Sequence, residues 1–572
     1  PQLQLGEAAK NLKYRFQWVA PMAVSPHNPQ EIYHGSQYVH RSRDMGETWE
    51  VISPDLTTQT PEHLDYSGGP INHDITGVEI YNTVFEMVLD PEQEGVIWAG
   101  TDDGRVHITR DDGDSWTEIT PKNMPEYGTV NKIDLSAHAP GKAFMAVQKY
   151  RFDDMRPYIF MTENYGKSWT LLTDGANGIP ADYPVRVVRE DPDREGLLYA
   201  GTEYGMFVSF DEGKNWQTLQ QNLPVVPITD LRVHQKDLVL STQGRSFWIL
   251  DDISPLHEVS EQLAQKEMHL FDPRPAYKVN DGGSGGLAEL APQPKPSGAT
   301  LYYYLRDSAK TNVQVDIIDA DARIVRTYSS DSTIAEDHKT ALLSDASGTH
   351  RFTWDLMYEG PTFVDGAIIW GYTGGVKAPP GTYEVRLQVG DESITQTIEV
   401  KEDPRIEEDL SAADYAAQLE LGLQLRDAIT EVHDYIGQIR SVKKQIKWLT
   451  EQSENEEINE VGPQLLEELT SYEEQLMQTK NQSGQDPIRF APRLDNQLVE
   501  NYGYVTGTDG YISGGREGRP AKAAYDRWND LEAEWTELRS EVEETLEKSA
   551  GTFNELIEKY KVLGVKLKKA KS

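Results

Sequence analysis

Hydrophobic and polar positions follow three successive patterns along this chain. In the first, short apolar strings alternate with turn residues. Ile32-Tyr33-His34-Gly35-Ser36, Ile97-Trp98-Ala99-Gly100-Thr101 and Leu198-Tyr199-Ala200-Gly201-Thr202 each read as a short strand entering a turn. In the second, residues 299–402, strand signals such as Leu301-Tyr302-Tyr303-Tyr304-Leu305, Val313-Gln314-Val315-Asp316-Ile317 and Tyr383-Glu384-Val385-Arg386-Leu387 are punctuated by turns at sandwich-like intervals. Beyond Asp403-Pro404 the period becomes helical. Ser411 with Asp414 three residues later is a capping-box start, and Leu425, Ile429, Val432, Ile436 and Ile439 form the seam of an antiparallel helix pair. A second helix is predicted near 456–481 on Leu465, Leu469, Tyr472 and Leu476, a third over about 523–548, and a last from about 552. The Gly- and Asn-rich stretch 482–522 reads as loop, and 253–298, with Gly282-Gly283-Ser284-Gly285-Gly286 and Pro292-Gln293-Pro294-Lys295-Pro296, as linker.

An eight-residue motif, Ser/Thr-x-Asp-x-Gly-x-Ser/Thr-Trp, recurs four times within residues 1–252, ending at Trp49, Trp116, Trp169 and Trp216. Its third position is Asp44, Asp111, Asn164 and Asp211 in turn. The spacing of 67, 53 and 47 residues between tryptophans is close to one propeller blade each. The chemistry is that of a turn: the carboxylate caps backbone N–H groups, Gly takes positive φ, and Trp anchors the turn on a core.

These residues resemble the Asp-box (bacterial neuraminidase repeat) propellers, a group that includes sialidases, xyloglucanases and sortilin-type receptors. Ser67-Gly68-Gly69-Pro70 through Thr76-Gly77-Val78-Glu79, with Gly244-Arg245-Ser246-Phe247-Trp248-Ile249-Leu250-Asp251-Asp252, is similar to a narrower bacterial group labelled sortilin-like or glycosyl-hydrolase-like. Phe352-Thr353-Trp354-Asp355 and Gly381-Thr382-Tyr383 resemble Ig-like or fibronectin-type modules. The resemblance spans nearly the whole chain. It implies a mainly β protein: an Asp-box β-propeller portion (1–252), an Ig-like β-sandwich (299–402) and a C-terminal antiparallel α-helical domain (403–572). Blades are expected near 14–56, 79–120, 129–173 and 184–220, with a shorter one near 226–252. Members of the group usually carry further blades upstream, so this portion is expected to be completed by blades from a separate or cleaved chain. The alternative is a five-bladed ring closed by residues 1–13.

Charge narrows the function classes. With 94 acidic against 55 basic residues the formal net charge is −39, far from the basic footprint of a nucleic-acid binder. Cysteine is absent, which excludes disulfides, thiolate nucleophiles and cysteine metal sites. No stretch approaches the roughly 18 apolar residues of a membrane span. The basic tail Lys566-Leu567-Lys568-Lys569-Ala570-Lys571 reads as cations at a helix C-terminus.

Strand alternation puts the eight-residue turns on one propeller face and the second-to-third-strand hairpins, with the inter-blade loops, on the other. That second face carries the candidate site. Asp102, Asp153 and Glu203 are the candidates for a glycosidase acid and base, which need two carboxylates about 5–10 Å apart. Asp103, Arg105, Arg151, Asp154, Arg156, Tyr204, Gln243 and Arg245 are candidate binding residues, and the 57–78 loop adds Asn72, His73 and Asp74. The bland account of these groups, solvated hairpin charges and a locally paired histidine, has the greater weight. No metal or other cofactor is expected; the acidic turns at Asp111-Asp112-Gly113-Asp114 and Asp191-Pro192-Asp193 are the calcium candidates, without the ligand spacing of a dedicated loop. No phosphate loop, nucleophile elbow or paired-His motif occurs. The expected function is a non-catalytic binding or scaffolding protein of a bacterial envelope or exterior, with a protein, peptide or glycan partner. A glycoside hydrolase is the alternative.

Overall fold

The structure, a computed structural model, describes residues 5–279, 295–405, 410–507 and 517–562. It contains two compact units, Pro1–Ala264 and Gln265–Ser572.

The first unit is a run of antiparallel sheets, each strand beside its sequence neighbour. Four sheets have four strands, beginning at Met22–Val24, Val84–Leu89, Thr129–Leu135 and Val185–Glu190; a fifth has three, Ile228–His234, Asp237–Thr242 and Phe247–Leu250. We call them blades one to five. Four apolar cores join successive blades. A blade between two neighbours must be apolar on both faces, which explains the uninterrupted strings seen in the sequence. In blade two, Ile97 and Ala99 enter the core shared with blade one, and Trp98 between them enters the core shared with blade three.

The recurring turns are built alike. Asp44 Oδ1 accepts from Thr48 N at 2.8 Å and Oδ2 from Thr48 Oγ1 at 2.6 Å, while Gly46 N donates to Ser42 Oγ at 2.7 Å. Those bonds hold the Asp44 carboxyl down at about 2. Asp111 with Ser115, Asn164 with Ser168 and Asp211 with Asn215 repeat the arrangement. The motif glycine has φ between 77° and 97° in all four copies, a region that disfavours any side chain. Two of the tryptophans clamp one blade to the previous one: Trp116 Nε1 donates to Ile52 O and Trp169 Nε1 to Ile119 O, both at 2.7 Å. Trp216 is buried in the core between blades three and four. Trp49 donates instead to Gly46 O within its own turn and is 45% exposed.

The innermost strands of blades two to five share a second device. Each shifts register near its start, leaving one extra residue: Phe85, Asn131, Arg186 and Thr229. A one-residue bulge turns that side chain out of the ladder.

The second unit starts inside the stretch that reads as a linker. Ser254–Glu258 is a short helix of the first unit, whereas Met268–Leu270 and Ala276–Tyr277 are strands of the second; residues 280–294 lie outside the described residues. Short strands of two and three residues carry too little periodicity to stand out from a Gly/Pro-rich background. One sheet orders Met268–Leu270, Ala299–Leu305 and Gly348–Trp354. The other orders Ala276–Tyr277, Glu392–Lys401, Gly381–Val389, Val313–Ile318 and Ile324–Ser329, and its first pair is parallel.

Helices Ala412–Gln452, Glu456–Leu476, Leu494–Thr506 and Lys522–Tyr560 follow. At the first of them Asp414 Oδ2 accepts from Ser411 N at 3.1 Å. In the helical region the structure departs from the sequence reading twice. Within 482–522, read as loop, Leu494, Leu498, Val499, Tyr502 and Val505 hold a helical face that polar neighbours disguised. The two final predicted helices are one: Leu546, Ser549, Phe553 and Leu556 keep a single buried stripe through the small-residue stretch read as a break. The basic tail lies outside the described residues. The two sheets and the helices are not separate bodies, because one continuous apolar core runs from Trp354 and Tyr383 through Leu425 and Ile436 to Trp528. No helix among the described residues is long and apolar enough to cross a membrane.

Candidate functional site

Inter-blade loops and second-to-third-strand hairpins of blades two to four meet in a strip of rings and guanidinium groups. His63, in the one-turn helix Pro61–His63, packs edge-on against Tyr81 (5.3 Å between centroids) and Tyr127 (4.6 Å). Tyr127 stacks with Phe152 at 6.1 Å. Phe152 ends the one-turn helix Tyr150–Phe152, which Asp153 closes with a left-handed φ of 59° and a bond from its N to Tyr150 O. The Arg151 and Arg186 guanidiniums lie 5.5 and 5.6 Å from the centre of the Tyr150 ring. Arg186 is the bulge residue of blade four, and its Nε donates to Glu203 Oε1 at 2.5 Å. Tyr183 packs on Tyr204 at 4.7 Å.

Several nominated residues serve other purposes. Asp102 and Asp103, expected on the rim, are buried because the preceding loop folds over them with its own donors. Thr83 N and Oγ1 donate to Asp102 at 2.8 and 2.9 Å, and burial beside Asp103 pushes the Asp102 carboxyl up to about 8. Asp103 accepts from Thr58 N and Oγ1, Asn82 Nδ2 and Thr101 Oγ1 at 2.5–2.8 Å. Arg105 pairs with Glu118 at 2.6 Å. Arg156 pairs with Asp154 at 2.7 Å; that guanidinium, with the Tyr158 hydroxyl, holds the Asp154 carboxyl well below its ordinary range. Asp153 and Gln243 are exposed, and Arg245 bonds its neighbour's carbonyl, Gly244 O. His73 stacks on Tyr66 at 4.7 Å rather than pairing with the adjacent Asp74, whose backbone closes a small loop with Ser67; Asn72 stands exposed in that loop. The glycosidase candidates Asp102, Asp153 and Glu203 are thus respectively sealed, isolated on a hairpin and ion-paired.

A second group lines the innermost strands. Lys132 Nζ lies 3.4 Å from both Glu86 and Asp230, and Arg189 pairs with Asp134 at 2.8 Å and Asp230 at 3.2 Å. Burial raises the Glu86 carboxyl, while the Lys132 and Arg189 cations outweigh burial at Asp230 and lower it. Reasoning from the sequence missed this network and most of the ring strip. One signal was present: a Tyr stands two or three residues before the first strand in three blades, at Tyr81, Tyr127 and Tyr183.

Among the described residues one group could chelate a cation. Asp191, Asp193 and His257 bring ligand atoms within 4.8 Å of one another. The Asp191 carboxylate is already filled by Asp193 N, Arg194 N, the Tyr199 hydroxyl and His257 Nε2, so it acts as a turn cap. Asp111, in the other acidic turn, is filled by its own loop.

No protein-family model matches the sequence. Among curated proteins, the chain is 23% identical over 237 residues to an oligoxyloglucan-reducing end-specific xyloglucanase of Emericella nidulans, covering 35% of this chain. The match spans about a quarter (27%) of that relative. Among solved structures, the GH74 xyloglucanase from Xanthomonas campestris aligns with 50% of this chain and 42% of its own, at 15% identity and a TM-score of 0.32. YCF48 bound to D1 peptide aligns with 39% of this chain and 62% of its own, at 15% identity and a TM-score of 0.27.

Proposed function

We propose that this chain is a non-catalytic binding or scaffolding protein of a bacterial envelope or exterior, whose hairpin face holds a protein, peptide or glycan partner. The observation that carries this reading is the ring and guanidinium strip from Tyr81 to Glu203. Exposed Phe, Tyr, Met and Arg side chains suit recognition surfaces. On the same reading the recurring turns are Asp-boxes of a sortilin-like propeller. The two sheets of the second unit are an Ig-like brace, which the parallel pairing of an early short strand with the last strand supports. Within a larger assembly, further blades would cover Met22, Val24 and Trp49 on the outer side of blade one.

The second reading is a glycoside hydrolase, favoured by one specific observation. Glu86 is pushed up and Asp230 down, and Lys132 touches both, the divergence expected of an acid and its partner carboxylate. Incubation with xyloglucan oligosaccharides separates the two. We expect no release of reducing ends; turnover that disappears in Glu86→Gln and Asp230→Asn would replace the binding reading with the enzymatic one. Native mass spectrometry of the source material identifies the stoichiometric partner.

A further inference from the structure

Blades one and five each present a face that no neighbour covers. In blade one Ala23 and Tyr33 enter the core shared with blade two, and Met22 and Val24, on the opposite face, are 74% and 58% exposed. In blade five Leu240 and Trp248 enter the core shared with blade four, whereas Phe247 and Ile249 on the opposite face are 76% and 57% exposed. No apolar core among the described residues joins blade five back to blade one. The described part of residues 1–13 does not complete blade five either, because Gly6 N and Lys10 N donate to Ile75 O and Leu64 O.

The repeat itself shows what fits these faces. Register equates Met22 and Val24 with Met87 and Leu89 of blade two: Met22 stands opposite His34 as Met87 does opposite Ala99, and Val24 opposite Ile32 as Leu89 does opposite Ile97. Met87 and Leu89 pack into the core shared with blade one, to which Tyr33 and Val39 contribute. Register likewise equates Phe247 and Ile249 with Met206 and Val208 of blade four, which are buried against blade five. The two open faces are therefore the two halves of a contact that recurs four times inside the chain.

We infer that the blade-five face of one copy of this chain packs on the blade-one face of a second copy, Phe247 and Ile249 against Met22 and Val24, continuing the run of blades head to tail. The inference rests on the assembly proposed above and names the source of its further blades. A second copy suffices because each face meets the complement that the chain already carries. Charge does not oppose the contact locally. The cross-strand rows Met22, His34, His40, Val51 and Arg232, Val239, Ile249 contain no carboxylate, and Asp230, in the row of Phe247, is engaged by Lys132 and Arg189. Phe16 stacks on His34 at 5.0 Å and Tyr14 meets His40 at 4.8 Å, so the segment before blade one covers the middle of its face and leaves Met22 and Val24 open. A heterologous contact of this kind leaves one unused face at each end of a dimer.

Light scattering on the purified full chain tests this. Its mass should rise from one copy towards two or more over about 1–100 µM. Ile249→Asp and Met22→Asp should each weaken association about tenfold or more, since each buries a charge without a partner. Mixing the two variants restores one sound contact, the intact blade-one face of Ile249→Asp against the intact blade-five face of Met22→Asp. The mixture should therefore form a dimer and nothing larger. Leu171→Asp, exposed on the outermost strand of blade three, should associate like the parent. All three positions are exposed, so circular dichroism and thermal unfolding of the variants should match the parent. A parent that stays monomeric throughout, association that survives both substitutions, or a mixture that stays monomeric overturns the inference. A different polypeptide bound to these faces in stoichiometric amount overturns it too. Those results leave the binding reading standing, whereas xyloglucan turnover would remove that reading and leave the mixing result untouched.

Discussion

Thr83 and Asp102 are joined by three hydrogen bonds: Asp102 N donates to Thr83 O, and Thr83 N and Oγ1 donate to the two carboxylate oxygens. The pair fastens the start of the innermost strand of blade two to the hairpin beside it. A carboxyl enclosed in this way is a fastener, and its titration should be felt in stability.

Asp102 is held at about 8, above the roughly 3.9 of an unfolded aspartate. Its contribution to stability is therefore complete below pH 4 and lost as pH rises through 8. Asp102→Asn removes that slope. Thermal unfolding should show the variant gaining several degrees on the parent between pH 4 and 8 and holding the gain above. Asp102→Ala, which strands two buried donors, should cost about 2–4 kcal/mol.

Asp103 ties the loop before blade two to the same hairpin by three bonds, from Thr58 N, Thr58 Oγ1 and Asn82 Nδ2. Asp103→Ala should free residues 57–62. Hydrogen exchange should report faster amide exchange there, with blades three to five unchanged, and a loss of about 2–3 kcal/mol in denaturant titration.

The motif tryptophans should differ in weight. Trp169→Phe removes the bond to Ile119 O in the previous blade and should cost about 1–2 kcal/mol. Trp49→Phe breaks only a bond within an exposed turn and should stay within about 0.5 kcal/mol of the parent. Equal losses in denaturant titration would mean that the inter-blade clamp contributes nothing.

In the second unit His433 and Asp495 are both buried, 3.9 Å apart, and His433 Nδ1 faces Val364 N while the Phe363 ring packs edge-on. Burial pushes Asp495 up to about 7 and, with Arg440, presses His433 down to about 4. The Asp495 contribution is lost as pH rises through 7; the His433 contribution is lost as pH falls from about 6.5 through 4. Asp495→Asn should thus gain on the parent as pH rises from 4 to 7 and keep the acid-side loss, and His433→Gln should flatten that loss in the same thermal series.

Much of the blade architecture was legible because it repeats: Ile97 and Ala99, like Leu198 and Ala200, face the previous blade, while Trp98, like Tyr199, faces the next. The helix Leu494–Thr506 was not, since Asn and Gly around Tyr502 carry turn propensity that only burial in the shared core overrides. At the candidate site, Arg151, Arg156, Glu203 and Tyr204 could be placed on a face by counting strands. The reversal at Asp102 and Asp103 could not be foreseen: it depends on Thr58 and Asn82, which reach them from a loop whose path the sequence does not specify.

The bulged residues Phe85, Asn131, Arg186 and Thr229 occupy one equivalent place in four blades, each half-buried and outside the strand ladder. They differ in size, polarity and charge although the residue just before each, Val84, Val130, Val185 or Ile228, is always apolar and buried. Such positions are where the blades carry their variety: side-chain size, polarity and charge change from blade to blade at the bulge while the buried residue before it and the cores stay alike.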